Sequence, residues 1–114
     1  MQTGEACEML KIYVGDDARW EGHSLHTALL RKLKELGVAG VTVTRGIAGY
    51  GEGKAIHTER LLTLSDDLPI VLEAVDRKEK IQEVIPVLQE MVTEGLMLVT
   101  EVTVLHYGKK RDTL

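Results

Sequence analysis

Eight residues near the middle of the chain hold four of its 11 glycines, and cations stand on either side. The stretch reads Arg45-Gly46-Ile47-Ala48-Gly49-Tyr50-Gly51-Glu52-Gly53-Lys54. Glycine permits positive φ and lets backbone N–H groups close on an anion. Arg45 and Lys54 would add charge toward a phosphate. This is not a Walker loop, because Lys54 lacks the following Ser or Thr. Nor is it a dinucleotide fingerprint, because no helix starts directly after it. A plain glycine-rich turn is the other reading of the same residues.

Other residues could do chemistry, and each has a plainer account. His23 and His26 are three apart and could share a helix face as a metal pair. They lack a third ligand, so a polar helix start explains them as well and no metal is expected. His57, with Glu59 and Arg60, falls in a loop where solvated residues are common. Asp16, Asp17, Glu21, Asp66 and Asp67 could run acid–base chemistry or hold Mg²⁺. They also flank turns, where Asp is favoured for local backbone hydrogen bonds. Ser24, Ser65 and Cys7 have no evident base, so no nucleophile triad forms and no catalytic residue is assigned. Trp20 could stack on a base or pack over the edge of its own domain. Lys109-Lys110-Arg111 could meet phosphate across a subunit boundary or form a solvated tail.

Composition narrows the setting. A length of 114 residues gives one domain, with its core over about 9–106 and a polar tail at 107–114. The chain is 44% hydrophobic and 28% charged, which suits an ordinary folded core rather than disorder. Its net charge of −4 argues against general nucleic-acid binding, which feeds on phosphate charge. A single cysteine excludes an intrachain disulfide and any multi-cysteine metal cage. Residues 1–10 carry Glu5 and Glu8 and no basic run, so no secretory signal is expected. No apolar run reaches membrane-spanning length. A cytoplasmic location is the expectation.

The elements that must position these residues follow from periodicity. Alternation predicts strands over 9–14, 41–47, 69–75 and 96–106. Leu25, Leu29, Leu33 and Leu36, widened by Ala28 and Leu30, predict a helix over 23–36, ended by Gly37 as its C′ residue. Asp76 with Glu79 three positions on reads as a capping box for a second helix reaching Val92. Its apolar face is Ile81, Val84, Ile85, Leu88 and Met91, and Pro86 should kink it. The order is βαβ, a long loop, then βαβ. Two such units interleave into a ferredoxin-like α+β sandwich: a four-stranded antiparallel sheet with both helices on one face.

Two helices leave the other sheet face open. Leu10, Ile12, Val14, Ile70, Leu72, Val102 and Val104 are read as the inner set. Met9, Tyr13, Val71, Val75, Val99 and Leu105 form the opposite one. That face is mixed; scattered exposed apolar side chains are one reading, and burial in a closed homo-oligomer is the expectation. Residues 48–68 make an unusually long connection, of a kind that is mostly functional or mobile.

Gly40-Val41-Thr42-Val43-Thr44, then Gly49-Tyr50-Gly51 and a long polar loop, resembles the PII signal-transduction proteins. There a similar Gly-x-Thr-Val-Thr strand leads to a Gly-Phe-Gly step at the base of the T-loop. Leu10-Lys11-Ile12-Tyr13-Val14-Gly15, the Arg45-to-Gly51 stretch and Leu68-Pro69-Ile70-Val71 look more like a small, little-characterised PII-like branch. The resemblance spans residues 10–106.

It implies a homotrimer of ferredoxin-like subunits with adenine nucleotide in clefts between them. The T-loop, here residues 48–68, would signal to a protein target such as a transporter, channel or enzyme. Thr42 matches the strand threonine near the adenine. Gly49, Tyr50 and Gly51 match the loop base that wraps the nucleotide. Charge and position add Arg45 and Gly46, and His106 and Lys109 stand near the family's C-terminal cations.

The departures are as informative. Only Thr93-Glu94-Gly95 replaces the lysine-bearing loop that grips phosphates in PII proteins, and the paired C-terminal arginines are missing. Fewer cations weaken triphosphate binding, so AMP or ADP is expected ahead of ATP, or else a different ligand altogether, with no cofactor. Ala48 is one residue beyond the family's spacing. Tyr50 is not at the modified T-loop tyrosine, so uridylylation is not expected. Two functions follow: a nucleotide-sensing regulator without chemistry of its own, or a small enzyme, such as a nucleotide hydrolase, in the same cleft.

Overall fold

A computed structural model describes residues 1, 4–50 and 68–109 of the chain. The first strand, β1 (Ala6–Gly15), runs through the middle of a four-stranded sheet. A short ribbon of β2 (Arg19–Trp20) and β3 (His23–Ser24) leads into helix α1 (Leu25–Glu35). Then come β4 (Gly40–Arg45), β5 (Pro69–Arg77), helix α2 (Lys78–Met91) and β6 (Leu96–Thr103). The sheet order is β4-β5-β1-β6 and all its pairings are antiparallel. This is the ferredoxin-like α+β plan that periodicity predicts.

The helices form for the reasons their sequences give. Leu25, Leu29 and Leu33 recur every fourth residue and are buried along one face of α1. The helix ends in a Schellman motif: the Gly37 N–H donates to Lys34 O at 3.1 Å and the Val38 N–H to Leu33 O at 3.1 Å. Gly37 sits at φ +83°, the left-handed geometry that motif demands. On α2, Ile81, Val84, Leu88 and Met91 are buried, and the helix continues through Pro86. Both stripes close on Leu10, Ile12, Val14, Ile70, Leu72 and Ala74 of the two central strands.

Several local expectations are corrected. The segment before α1 is a hairpin, not a loop, and α1 starts at Leu25 rather than residue 23. Trp20 pairs with His23 across a two-residue turn, Glu21-Gly22, in which both residues have positive φ, as a type I′ turn requires. Trp20 packs against the core of its own domain. Asp76 is not the cap of α2. It ends β5's buried face, and Arg77 takes the cap position without a side-chain cap bond. The Asp76 carboxylate instead accepts the Ala39 N–H at 2.9 Å and the Arg77 N–H at 2.7 Å. A buried carboxylate is stabilised by such donors.

The strand bounds also shift. β4 stops at Arg45 rather than residue 47, and β6 stops at Thr103 rather than residue 106. Register reverses two faces. Val99 lies opposite Leu10 on the helix side, and Val102 lies opposite Cys7 on the open side. Val104 falls beyond the strand. A one-residue slip moves a side chain to the other face. In β6 the consecutive exposed residues Leu98 to Glu101 erase the alternation that would fix it.

Candidate functional site

Four pieces of chain meet at one end of the sheet. β1 leaves it at Gly15, β4 leaves it at Arg45, and β5 enters at Pro69. The turn before β6 meets the same end through Gly95, where an added Cβ would stand 2.5 Å from Tyr13 O. Gly15 pairs with Pro69 and Arg45 with Ile70, so the ends of β1 and β4 flank the start of β5. Two backbone bonds close the corner. The Gly46 N–H donates to Pro69 O at 2.7 Å, and the Asp16 N–H donates to Leu68 O at 2.9 Å.

Within this corner Gly46 is sterically required. An added Cβ would stand 2.6 Å from Pro69 Cγ. Gly49 reaches the same ring, with its Cβ position 3.4 Å from Pro69 Cγ. The proline thus acts as a floor over which the glycine stretch turns. Ile47 and Tyr50 project from that turn, 89% and 75% exposed. An exposed aromatic at a glycine-rich turn is suited to stacking on a base. Gly51 and residues 52–67, hence nearly all of the predicted loop, lie outside the described residues.

Thr42 and Arg45 share β4 but face opposite ways. Thr42 lies opposite Glu73 on the open side of the sheet, and Arg45 lies opposite Ile70 on the helix side. On the open side Glu73 is ion-paired with Lys11 at 3.3 Å, one strand further in. Arg45 forms an ion pair with Asp16 through its Nη1 and the carboxylate Oδ2. Sequence reading treats Asp16 as a turn residue. Nothing in the sequence marks a contact across 29 positions, although the charge pair itself is visible there.

His106 and Lys109 are exposed and do not join this corner within one chain. β6 runs antiparallel to β1 and ends beside Ala6. Val104 still exchanges backbone bonds with Gly4 and Glu5. The chain therefore leaves the sheet at the end opposite Gly15 and Arg45. β4 and β6 are also the two outer strands of the sheet. The candidate residues form two groups at diagonal corners.

The open face carries Met9, Tyr13, Val71 and Val75 half-buried, and Leu96 and Leu98 exposed. Cys7 also points there and is buried, and burial with the nearby Glu5 carboxylate raises its thiol pKa. Among the described residues no three His, Cys, Asp or Glu side chains gather to hold a metal. His23 lies on β3 and His26 on α1, where the His26 Nδ1 is buried without a hydrogen-bond partner. Among the described residues, no helix is long and apolar enough to cross a membrane.

Comparison with known proteins places this geometry in context. The DUF190 family, described as an uncharacterized ACR, matches residues 7–104. A UPF0166 protein of Aquifex aeolicus is 35% identical over 99 residues, covering 87% of this chain and 93% of its own. UPF0166 protein MJ1524 of Methanocaldococcus jannaschii is 35% identical over 95 residues, covering 82% and 87%. Among solved structures, a candidate PII-like signaling protein of Thermus thermophilus superposes with a TM-score of 0.62 at 22% identity, over 89% of this chain and 91% of that one. CPII of Thiomonas intermedia K12, bound to ADP and bicarbonate, gives a TM-score of 0.63 at 19% identity, over 89% and 90%. CPII bound to ADP, AMP and acetate gives 0.62 at 17% identity, over 88% and 89%. The fold is that of the PII-like proteins.

Proposed function

This chain belongs to the DUF190 family, and we propose that it is a PII-like regulatory protein that senses an adenine nucleotide. AMP or ADP is the preferred ligand, ahead of ATP. The site is a cleft between subunits of a homotrimer in the cytoplasm. The connection over residues 48–68 carries the ligand state to a protein target, such as a transporter, channel or enzyme. The protein does no chemistry of its own.

The observation that carries this reading is the shared fold of a chain whose similar structures include CPII holding ADP and AMP. Three features of the chain agree with it. The glycine stretch opens the long connection at the corner where β1, β4 and β5 meet. The open face carries apolar side chains around the Lys11–Glu73 pair, and two further subunits would cover them. The two groups of candidate residues lie at diagonal corners, so only a neighbouring subunit can unite them. The cleft wraps the edge strand β4, so that Thr42 on its open side lies beside the adenine, Gly49, Tyr50 and Gly51 wrap the nucleotide with Gly46 at the loop base, and Arg45 on its helix side meets phosphate together with His106 and Lys109.

A ligand that binds only the folded protein raises its melting temperature. AMP and ADP should each raise it, ATP should raise it less, and GMP should leave it unchanged. Gly49→Val should abolish the AMP and ADP shifts if the backbone closes on the ligand there. Incubation with the three nucleotides should return them intact. Turnover would replace the sensor with a nucleotide hydrolase, and absence of any shift would remove nucleotide sensing.

A further inference from the structure

We propose that Asp16 sets how much phosphate charge the Arg45 corner accepts, and so favours AMP and ADP over ATP. This rests on the nucleotide-sensing reading above and supplies its cause at one residue. Asp16 is fixed by its backbone, whose N–H is bonded to Leu68 O at 2.9 Å. That bond anchors the residue at the corner, where its side chain is partly buried. Arg45 engages its carboxylate through one terminal nitrogen.

The two side chains are unequally exposed, Arg45 at 52% and Asp16 at 33%. A guanidinium carries five N–H donors in a rigid fork. Asp16 engages one terminal nitrogen and about half of the side chain is open to solvent, so the remaining donors can take a phosphate oxygen. A phosphate arriving there meets the carboxylate that Arg45 already holds beside it. Like charges at short range repel, and the repulsion grows with each phosphate added. The ion pair thus leaves Arg45 able to hold a short phosphate chain and penalises a long one. The missing cations of the Thr93-Glu94-Gly95 turn act in the same direction, but Asp16 adds an anion inside the corner itself.

Asp16→Asn keeps the backbone N–H and the side-chain shape and removes the charge. AMP, ADP and ATP are titrated calorimetrically into wild type and D16N at low and high salt, with melting temperature as the folding control. The ATP-to-AMP affinity ratio should rise about three- to tenfold in D16N, and the rise should shrink at high salt as the charges are screened. Arg45→Ala, tested alone, leaves Asp16 unneutralised and should lower the same ratio. The double variant should lose most of the gain seen in D16N. An unchanged ratio in D16N, with wild type still binding AMP or ADP, overturns the role of Asp16 and leaves the sensor reading standing. Loss of all three nucleotides by equal factors in R45A also overturns it. No binding by wild type and D16N overturns both.

Discussion

Two glycines are held by what a methyl group would strike. At Gly95 an added Cβ would lie 2.5 Å from the Tyr13 carbonyl oxygen, at a φ of +151°. Gly95→Ala must either shift β1 or change the turn, and should cost about 2 kcal/mol or more in urea unfolding. At Gly46 the obstacle is the Pro69 ring, 2.6 Å away. Its loss would disturb the corner rather than the core. Cys7 offers a test of burial at the same scale. Its raised thiol pKa lowers the thiolate fraction at a given pH, and its 1% exposure limits reagent access. A thiol reagent at pH 8 should label native protein far more slowly than protein in denaturant, because the thiolate is the nucleophile. Equal rates would show that the open face near β1 is accessible.

At the scale of elements, what the sequence reveals depends on how local the cause is. The leucine spacing of α1 and the glycine at 37 act within a few turns of chain, so the helix and its end are readable in advance. Asp76 is different. Its carboxylate is satisfied by Ala39, 37 positions away, and only the packed structure shows it as a strand residue rather than a helix cap. Asp76→Ala should leave the Ala39 N–H without that acceptor and cost about 1–3 kcal/mol, measured by thermal or urea denaturation. β6 hides its register for another reason: exposed residues on both of its faces leave no alternation to read. The candidate site divides in the same way. The glycine stretch is legible because backbone freedom is a local property. The Asp16–Arg45 pair and the separation of His106 and Lys109 from it depend on strand order, which no local pattern carries.

At the scale of the whole molecule, the open face decides whether the site exists at all. In one chain, Leu98 is 44% exposed and lies in a row with Thr42, Glu73 and Lys11 across the four strands. Leu98→Glu should therefore leave the subunit folded, with unchanged circular dichroism, yet place a charge where apolar surface would be covered. The expected outcome is a fall to monomer mass together with loss of AMP and ADP binding. A variant that keeps its mass and its binding would locate the interface elsewhere.

A nucleotide site shared between subunits is tested most directly by calorimetric titration of AMP, ADP, ATP and cyclic AMP into protein whose solution mass is measured in the same buffer. The expected result is a trimer that binds AMP or ADP with micromolar Kd and ATP more weakly. A monomer, or a trimer that binds none of the four, would contradict it.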